Sequence, residues 1–179
     1  MSAWRHARAI VLLPGMATVV TPALILLLGD GASIGWGWGI PWAAVPSALG
    51  LVLITGGFAL WVWTVRLFDR IGEGTLAPWD ATRHLVVEGP YAHVRNPMIT
   101  AVTAVLLGEA ALFGSLALLV WCALFVAVNW VYFVLVEEPG LERRFGNEYR
   151  AYRHNVPRWI PRRSVDRDSN PERHPADSD

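Results

Sequence analysis

Two adjacent acids, Glu137 and Glu138, are the first residues whose type and position could do chemistry. They directly follow an apolar run that ends at Val136, where a membrane-crossing helix is expected to end. The macrodipole of a helix favours cations at its C-terminus, so acids there are better explained by a positively charged ligand. The alternative is a helix end that simply carries solvated acids.

A second candidate lies upstream, in the stretch His84 to Pro97, HLVVEGPYAHVRNP. Its Gly and Pro turns surround a short apolar piece, expected to be strand-like, and such backbone can approach a ligand closely. It belongs to a polar connection from Arg66 to Pro97, which also contains GEGTLAPWD at Gly72 to Asp80. Connections of about thirty residues without regular structure are uncommon unless they are functional. A plain surface loop is the alternative.

The elements that must position these groups are apolar. The chain is 54% hydrophobic and 17% charged, which favours a membrane protein. Residues 9–28, 46–65, 98–113 and 116–136 predict an all-α integral membrane protein with about four transmembrane helices, the last two forming a helical hairpin. Residues 98–113 would span only about 24 Å as a helix, less than the hydrocarbon core. Residues 9–28 could instead be a signal peptide, but they exceed the usual apolar length of one.

Charge placement predicts the orientation of the chain. All fifteen basic residues are Arg, and they lie near the N-terminus, between residues 66 and 97, or after Val136. The positive-inside rule puts all three regions on the cytoplasmic face, with both termini inside, and we expect a bacterial inner (plasma) membrane. The loop and the acids would then line a pocket on the cytoplasmic face, while Trp36, Trp38 and Trp42 would anchor the opposite interface. The predicted divisions are a helix pair at 1–65, a core at 66–161 and a disordered tail at 162–179.

Other residues could contribute. Tyr149, Tyr152 and Trp159 have a spacing that could fold an aromatic cap over the pocket. Glu109 and Asn129 lie in apolar spans, where polar groups are expensive and therefore functional candidates, although Glu109 falls near the hairpin turn. The single cysteine excludes an intrachain disulfide and a cysteine-based metal site. No metal and no nucleic-acid partner are expected.

The series GTLAP, LVVEGPY, VRNPM and EEPGLERRFGNEYRAYRHNVPRWIP, in this order within residues 66–161, resembles the isoprenylcysteine carboxyl methyltransferase family and its phospholipid methyltransferase relatives. Members are integral membrane enzymes that hold S-adenosylmethionine in a cytoplasmic pocket. The resemblance implies that Glu137 holds the ribose or amino group of the cofactor, with Glu138 beside it. It also implies cofactor contacts from the loop, at His84, Leu85, Val86, Val87, Tyr91, Arg95, Asn96, Pro97, Met98 and Ile99.

The chain departs from the family pattern in ways that bear on the acceptor. Asn96 stands where eukaryotic members commonly have His, and Ile99 where they have Tyr. The turn Trp130 to Val134 lacks the Arg that contacts the substrate carboxylate. We therefore expect a lipid-like or small apolar acceptor, within membrane lipid, whose reacting amine, thiol or hydroxyl is neutral. Methyl transfer needs no protein nucleophile, and an amine or thiol would need a base, for which His93 and Glu138 are candidates. His93 could equally be a plain loop residue.

Two other functions compete with a methyltransferase. A membrane oxidoreductase of the sterol-reductase type would use NADPH, whose phosphates would favour Arg in place of the acid pair. Several arginines are nevertheless close in sequence, namely Arg143, Arg144, Arg150 and Arg153. A non-catalytic membrane scaffold would give no reason for the long loop or the aromatic cap.

Overall fold

The computed structural model describes residues 11–29, 32–67, 70–71 and 84–159. Every regular element within these ranges is helical, which confirms the predicted all-α class for this part of the chain. The predicted tail at 162–179, the basic N-terminus and the stretch Gly72 to Asp80 lie outside the described residues.

Helical elements account for most of the described residues. A π-helical segment, Val11–Val20, leads into α1 (Thr21–Leu28), and a short 3-10 turn, Ile34–Gly37, precedes α2. A second 3-10 turn, Gly89–Ala92, precedes α3, and a π-helical turn, Phe133–Glu137, joins α4 to α5. The bounds of the five later helices are α2 (Ala44–Leu67), α3 (Pro97–Phe113), α4 (Leu116–Tyr132), α5 (Glu138–Phe145) and α6 (Asn147–Asn155).

Two of the helices are long and apolar enough to cross a membrane. They are α2 and the continuous helix Leu116–Phe145, about 36 Å and 45 Å long. Only 17% and 11% of their apolar windows are buried inside the protein, whereas the core helix of a soluble protein would be mostly buried. The apolar helices Pro14–Leu28 and Pro97–Phe113 are shorter. The described part of the chain therefore contains two candidate membrane spans, and the count of four stays a prediction.

The turn between α3 and α4 falls where the sequence predicts it. Gly114 has a φ of 57°, in the left-handed region that favours glycine. Ser115 then caps α4, because its hydroxyl accepts a hydrogen bond from the Leu118 N–H at 3.4 Å. At the other end of α3, the Asn96 side chain accepts from the Ile99 N–H at 3.4 Å, and Pro97 occupies the first turn. Both helices of the hairpin thus begin with a side-chain cap.

Close glycine contacts hold α2 against α3. A Cβ added to Gly50 would lie 2.7 Å from the Gly108 carbonyl oxygen, and one added to Gly57 would lie 2.7 Å from that of Ala101. Small residues permit such backbone approach between membrane helices. The start of α3 is thereby fixed near the end of α2, where Gly89 would meet the Leu67 side chain if it carried a Cβ.

The helix that carries the acids does not end at Val136, contrary to the sequence prediction. Glu137 and Glu138 both have helical backbone angles, and the Glu138 N–H donates to the Phe133 carbonyl, five residues earlier. Pro139 would clash with the carbonyl four residues before it in a regular α-helix, and we attribute its accommodation to the wider π-turn directly ahead of it. The acids therefore lie inside the helix and not at its C-terminus as predicted, so the helix macrodipole does not explain their presence.

Candidate functional site

The centre of the candidate site is one carboxylate held by two guanidinium groups. Arg95 Nη1 lies 2.7 Å from Glu138 Oε1. Arg158 approaches the same carboxylate through both Nε and Nη2, at 2.7 Å from Oε1 and 2.9 Å from Oε2. The Arg95 and Glu138 side chains are 8% and 5% exposed, whereas that of Arg158 is 36% exposed. A buried acid that accepts three charge-assisted hydrogen bonds is a fixed anchor.

These three residues come from distant parts of the chain. Arg95 lies two residues before α3, Glu138 follows the π-turn, and Arg158 lies beyond the end of α6. Two further hydrogen bonds join the same segments: the Arg95 N–H donates to the Pro157 carbonyl at 2.9 Å, and the Tyr152 hydroxyl donates to the Tyr91 carbonyl at 2.7 Å. The C-terminal segment therefore folds back onto the loop before α3.

The aromatic residues predicted as a cap lie in this folded-back segment. Tyr149 is only 1% exposed, and its hydroxyl is 3.5 Å from Arg95 Nη1. Its ring centroid is 6.2 Å from that of Tyr152, and the centroids of Phe133 and Trp159 are 6.1 Å apart. Tyr149 is thus a buried support of the ion cluster, placed deeper than a solvent-facing cap would be.

Glu137 differs sharply from its neighbour. As a whole residue it is exposed, and its carboxylate has no hydrogen bond or ion pair with any residue that the structure describes. Burial raises the pKa of Tyr91 well above its ordinary value, and the charges of Tyr152 and Glu137 raise it further. Burial also raises the pKa of Tyr149, and the Glu137 charge again contributes. Glu137 therefore lies close enough to the Tyr91 and Tyr149 phenols to influence them, and it has no partner among the described residues.

The loop residues predicted to contact a cofactor divide by exposure. Buried side chains are those of Val86, Tyr91, Asn96 and Pro97; Leu85, Arg95, Met98 and Ile99 are partly exposed as whole residues; His84 and Val87 are exposed. The expected strand-like piece at residues 84–87 has no regular structure. The structure thus brings the loop and the acids together at one end of the helices.

The two candidate bases have different surroundings. Glu138 is occupied by three guanidinium hydrogen bonds, which argues against its accepting a proton. His93 is exposed, and its Nδ1 lies 3.1 Å from the Gly89 carbonyl oxygen of its own turn. His93 makes no hydrogen bond or ion pair with Glu137 or Glu138.

The polar residues inside the apolar spans stand apart from this site. The Asn129 side chain donates to the Phe125 carbonyl one turn earlier at 2.8 Å, so its amide is used within its own helix. Glu109 lies near the opposite end of α3, and its Oε2 atom is buried with no hydrogen-bond partner among the described residues. An apolar groove also lies towards that end of the hairpin, lined by Ile25, Leu116, Ala117, Val120, Trp121 and Leu124.

Arg158 is the residue of this cluster that sequence reasoning missed. It stands in VPRWIP, twenty residues after Glu138, and nothing in its local pattern marks it as different from the other arginines. The general signal that could have found it is that a buried acid next to an apolar helix requires a cation.

A comparison of the sequence with known protein families gives a match that covers more than half of the chain. A family model described as phospholipid methyltransferase matches residues 45–148, which is 104 of the 179 residues. The matched region runs from the start of α2 into the start of α6, so it contains both acids and the loop but ends before Arg158. None of the curated proteins compared with the chain matches it.

Proposed function

The chain belongs to the phospholipid methyltransferase family, and from that premise we propose that it transfers the methyl group of S-adenosylmethionine to a lipid-like acceptor at the cytoplasmic face of a membrane. The resemblance expected from the sequence motifs is thereby confirmed at the level of the family. The cofactor, the acceptor and the membrane face are our proposals.

The observation that carries this proposal is the contrast between the two acids. Glu138 is buried and neutralised by Arg95 and Arg158, whereas Glu137 is exposed and unpaired among the described residues. S-adenosylmethionine carries a sulfonium, an ammonium and two ribose hydroxyls, all of which a carboxylate can attract or accept from. Glu137 is therefore the residue of the pair that is free to hold the cofactor.

The remaining residues would position the ligand and exclude water. The cofactor, when bound, supplies the activated methyl carbon, so the protein needs position and electrostatics in place of a nucleophile. The hydrogen bonds that tie the C-terminal segment to the loop would fix the wall beside Glu137. Aromatic side chains such as Phe133 and Tyr149 would lower the local dielectric and strengthen the attraction between Glu137 and a cation.

The continuous helix Leu116–Phe145 would place the reaction at the membrane surface. At 1.5 Å per residue its 30 residues exceed the hydrocarbon core by about 15 Å, so the acid pair would lie near the headgroup level. A lipid-like acceptor could then reach Glu137 sideways from the bilayer. We propose that its reacting group is neutral when bound, and that His93 is the remaining candidate base where a proton must leave.

The experiment that tests this function is calorimetric titration of the purified protein with S-adenosylhomocysteine. Glu137→Gln keeps the shape of the side chain and removes its charge, so binding should weaken by about 1.5–3 kcal/mol, or about tenfold to a hundredfold. Glu142→Gln is the matched control, because Glu142 pairs with Arg150 and Arg153 on the exposed surface of α5 and α6. Equal weakening by both substitutions would contradict the role of Glu137.

A further inference from the structure

The ion cluster around Glu138 contains more positive charge than it uses. Arg95 and Arg158 share this single carboxylate, which leaves the three residues with a net charge of +1. Arg95 is more than nine-tenths buried, and its Nε–H has no acceptor among the described residues. The indole N–H of Trp159, next to Arg158, is likewise buried without an acceptor in this part of the chain. Donors therefore outnumber acceptors here.

Arg158 is the member of the cluster that an outside molecule can reach. Its Nε and Nη2 face Glu138, so the opposite end of the guanidinium, with Nη1, is turned away from that carboxylate. The side chain is 36% exposed, whereas Arg95 and Glu138 are buried. A guanidinium offers five N–H donors, and an end that is still open can bind a carboxylate or phosphate.

We propose that Arg158 is a specificity-determining residue that binds an anionic group of the acceptor, a carboxylate or a phosphate, beside the atom that is methylated. The inference rests on the proposed function, because it places this anion next to Glu137, the residue that we propose holds the cofactor. Once Glu137 faces the cationic cofactor, the surplus charge of the cluster is left for the acceptor. The cation that the turn Trp130 to Val134 lacks would then come from the C-terminal segment, and the acceptor would combine a neutral reacting atom with a nearby anion.

The test measures binding of small amphiphiles that share one alkyl chain. The full-length protein, in nanodiscs of zwitterionic lipid, is titrated with hexyl phosphate, hexanoate, hexanol and inorganic phosphate, with empty nanodiscs as the blank. We expect the wild type to bind at least one of the two hexyl anions about tenfold or more tightly than hexanol. Arg158→Gln should lose about tenfold to a hundredfold in affinity for that anion and none for hexanol. The better of the two anions identifies the group that the acceptor carries.

Two further variants separate recognition from general charge and from folding. Arg150→Gln removes the same charge from an exposed ion pair on α6, and it should leave the preference for the anion unchanged. Arg158→Lys keeps the charge but lacks the planar set of guanidinium donors, so it should retain part of the preference for the anion over hexanol. If Arg158→Gln does not fold, the Lys variant tests the role of Arg158 in its place.

The results that would overturn the inference are distinct from failure of the proposed function. An unchanged anion preference in the Arg158 variants, equal losses in Arg150→Gln, or inorganic phosphate that binds as tightly as hexyl phosphate would each refute it. So would a wild type that does not distinguish anions from hexanol. Absence of S-adenosylhomocysteine binding by the wild type would refute the methyltransferase proposal instead, and the amphiphile titration would still report on Arg158.

Discussion

Replacing Glu138 by Gln should destabilise the fold more than the loss of any one of its three hydrogen bonds would suggest. The substitution leaves the Arg95 guanidinium, 8% exposed, without its counter-ion. Removing one partner of a buried ion pair costs about 3–5 kcal/mol, because the other charge stays buried and unpaired. That is a large fraction of the ordinary stability of a domain, which is about 5–15 kcal/mol.

Arg158→Gln provides the comparison within the same cluster. Arg158 is 36% exposed, and its loss leaves Glu138 paired with Arg95, so we expect a smaller loss of about 1–2 kcal/mol. Unfolding of both variants in matched detergent, followed by circular dichroism, measures the difference. The double variant Glu138→Gln with Arg95→Met should recover part of the loss, since it removes the stranded cation. An Arg158→Gln variant as unstable as Glu138→Gln would refute this reasoning.

Three other outcomes follow from the fold. Gly57→Val should push α2 from α3 and lower the melting temperature, whereas Gly56→Val, whose Cβ would meet nothing within 4 Å, should not; equal effects would contradict the packing. Tyr152→Phe should cost about 1 kcal/mol of unfolding free energy through its bond to the Tyr91 carbonyl, and an unchanged stability would contradict that contact. On intact cells, an impermeant thiol reagent should label a cysteine introduced at Ser33, after α1, and spare one at Ser169, and labelling of the latter would refute a cytoplasmic C-terminus.

The helices of the fold were largely predictable because apolar runs and breakers determine them. The run predicted at residues 46–65 is the centre of α2, and the run predicted at 98–113 differs from α3 by one residue. The turn at Gly114 and Ser115 was predictable because glycine tolerates a positive φ and serine caps a helix. These features depend only on local chemistry, which the sequence displays directly.

The end of the last apolar helix was not predictable by the same reasoning. Val136 is the last residue of the apolar run, and the two acids followed by Pro139 indicated the end of the helix. In the structure the π-turn Phe133–Glu137 lets the helix continue, and the Phe133 carbonyl accepts a hydrogen bond from the Glu138 N–H. A π-turn shifts the phase of every residue after it, so hydrophobic periodicity cannot tell which of two adjacent acids faces the protein. Only the three-dimensional structure therefore shows that Glu138 is buried and Glu137 is exposed.

The acceptor illustrates the limit of reasoning from distance along the sequence. A cation for the acceptor was sought one helical turn before the acids, between Trp130 and Val134, and its absence led us to expect an acceptor whose reacting group is neutral. Arg158 lies twenty residues after Glu138 in sequence, yet its guanidinium is 2.7 Å from that carboxylate. A charge can be supplied by any segment that folds onto the site, so an absence in one turn carries no weight until the segments that pack against it are known. For this chain we therefore propose an acceptor whose reacting atom is neutral and which carries an anion elsewhere, within reach of the Arg158 guanidinium.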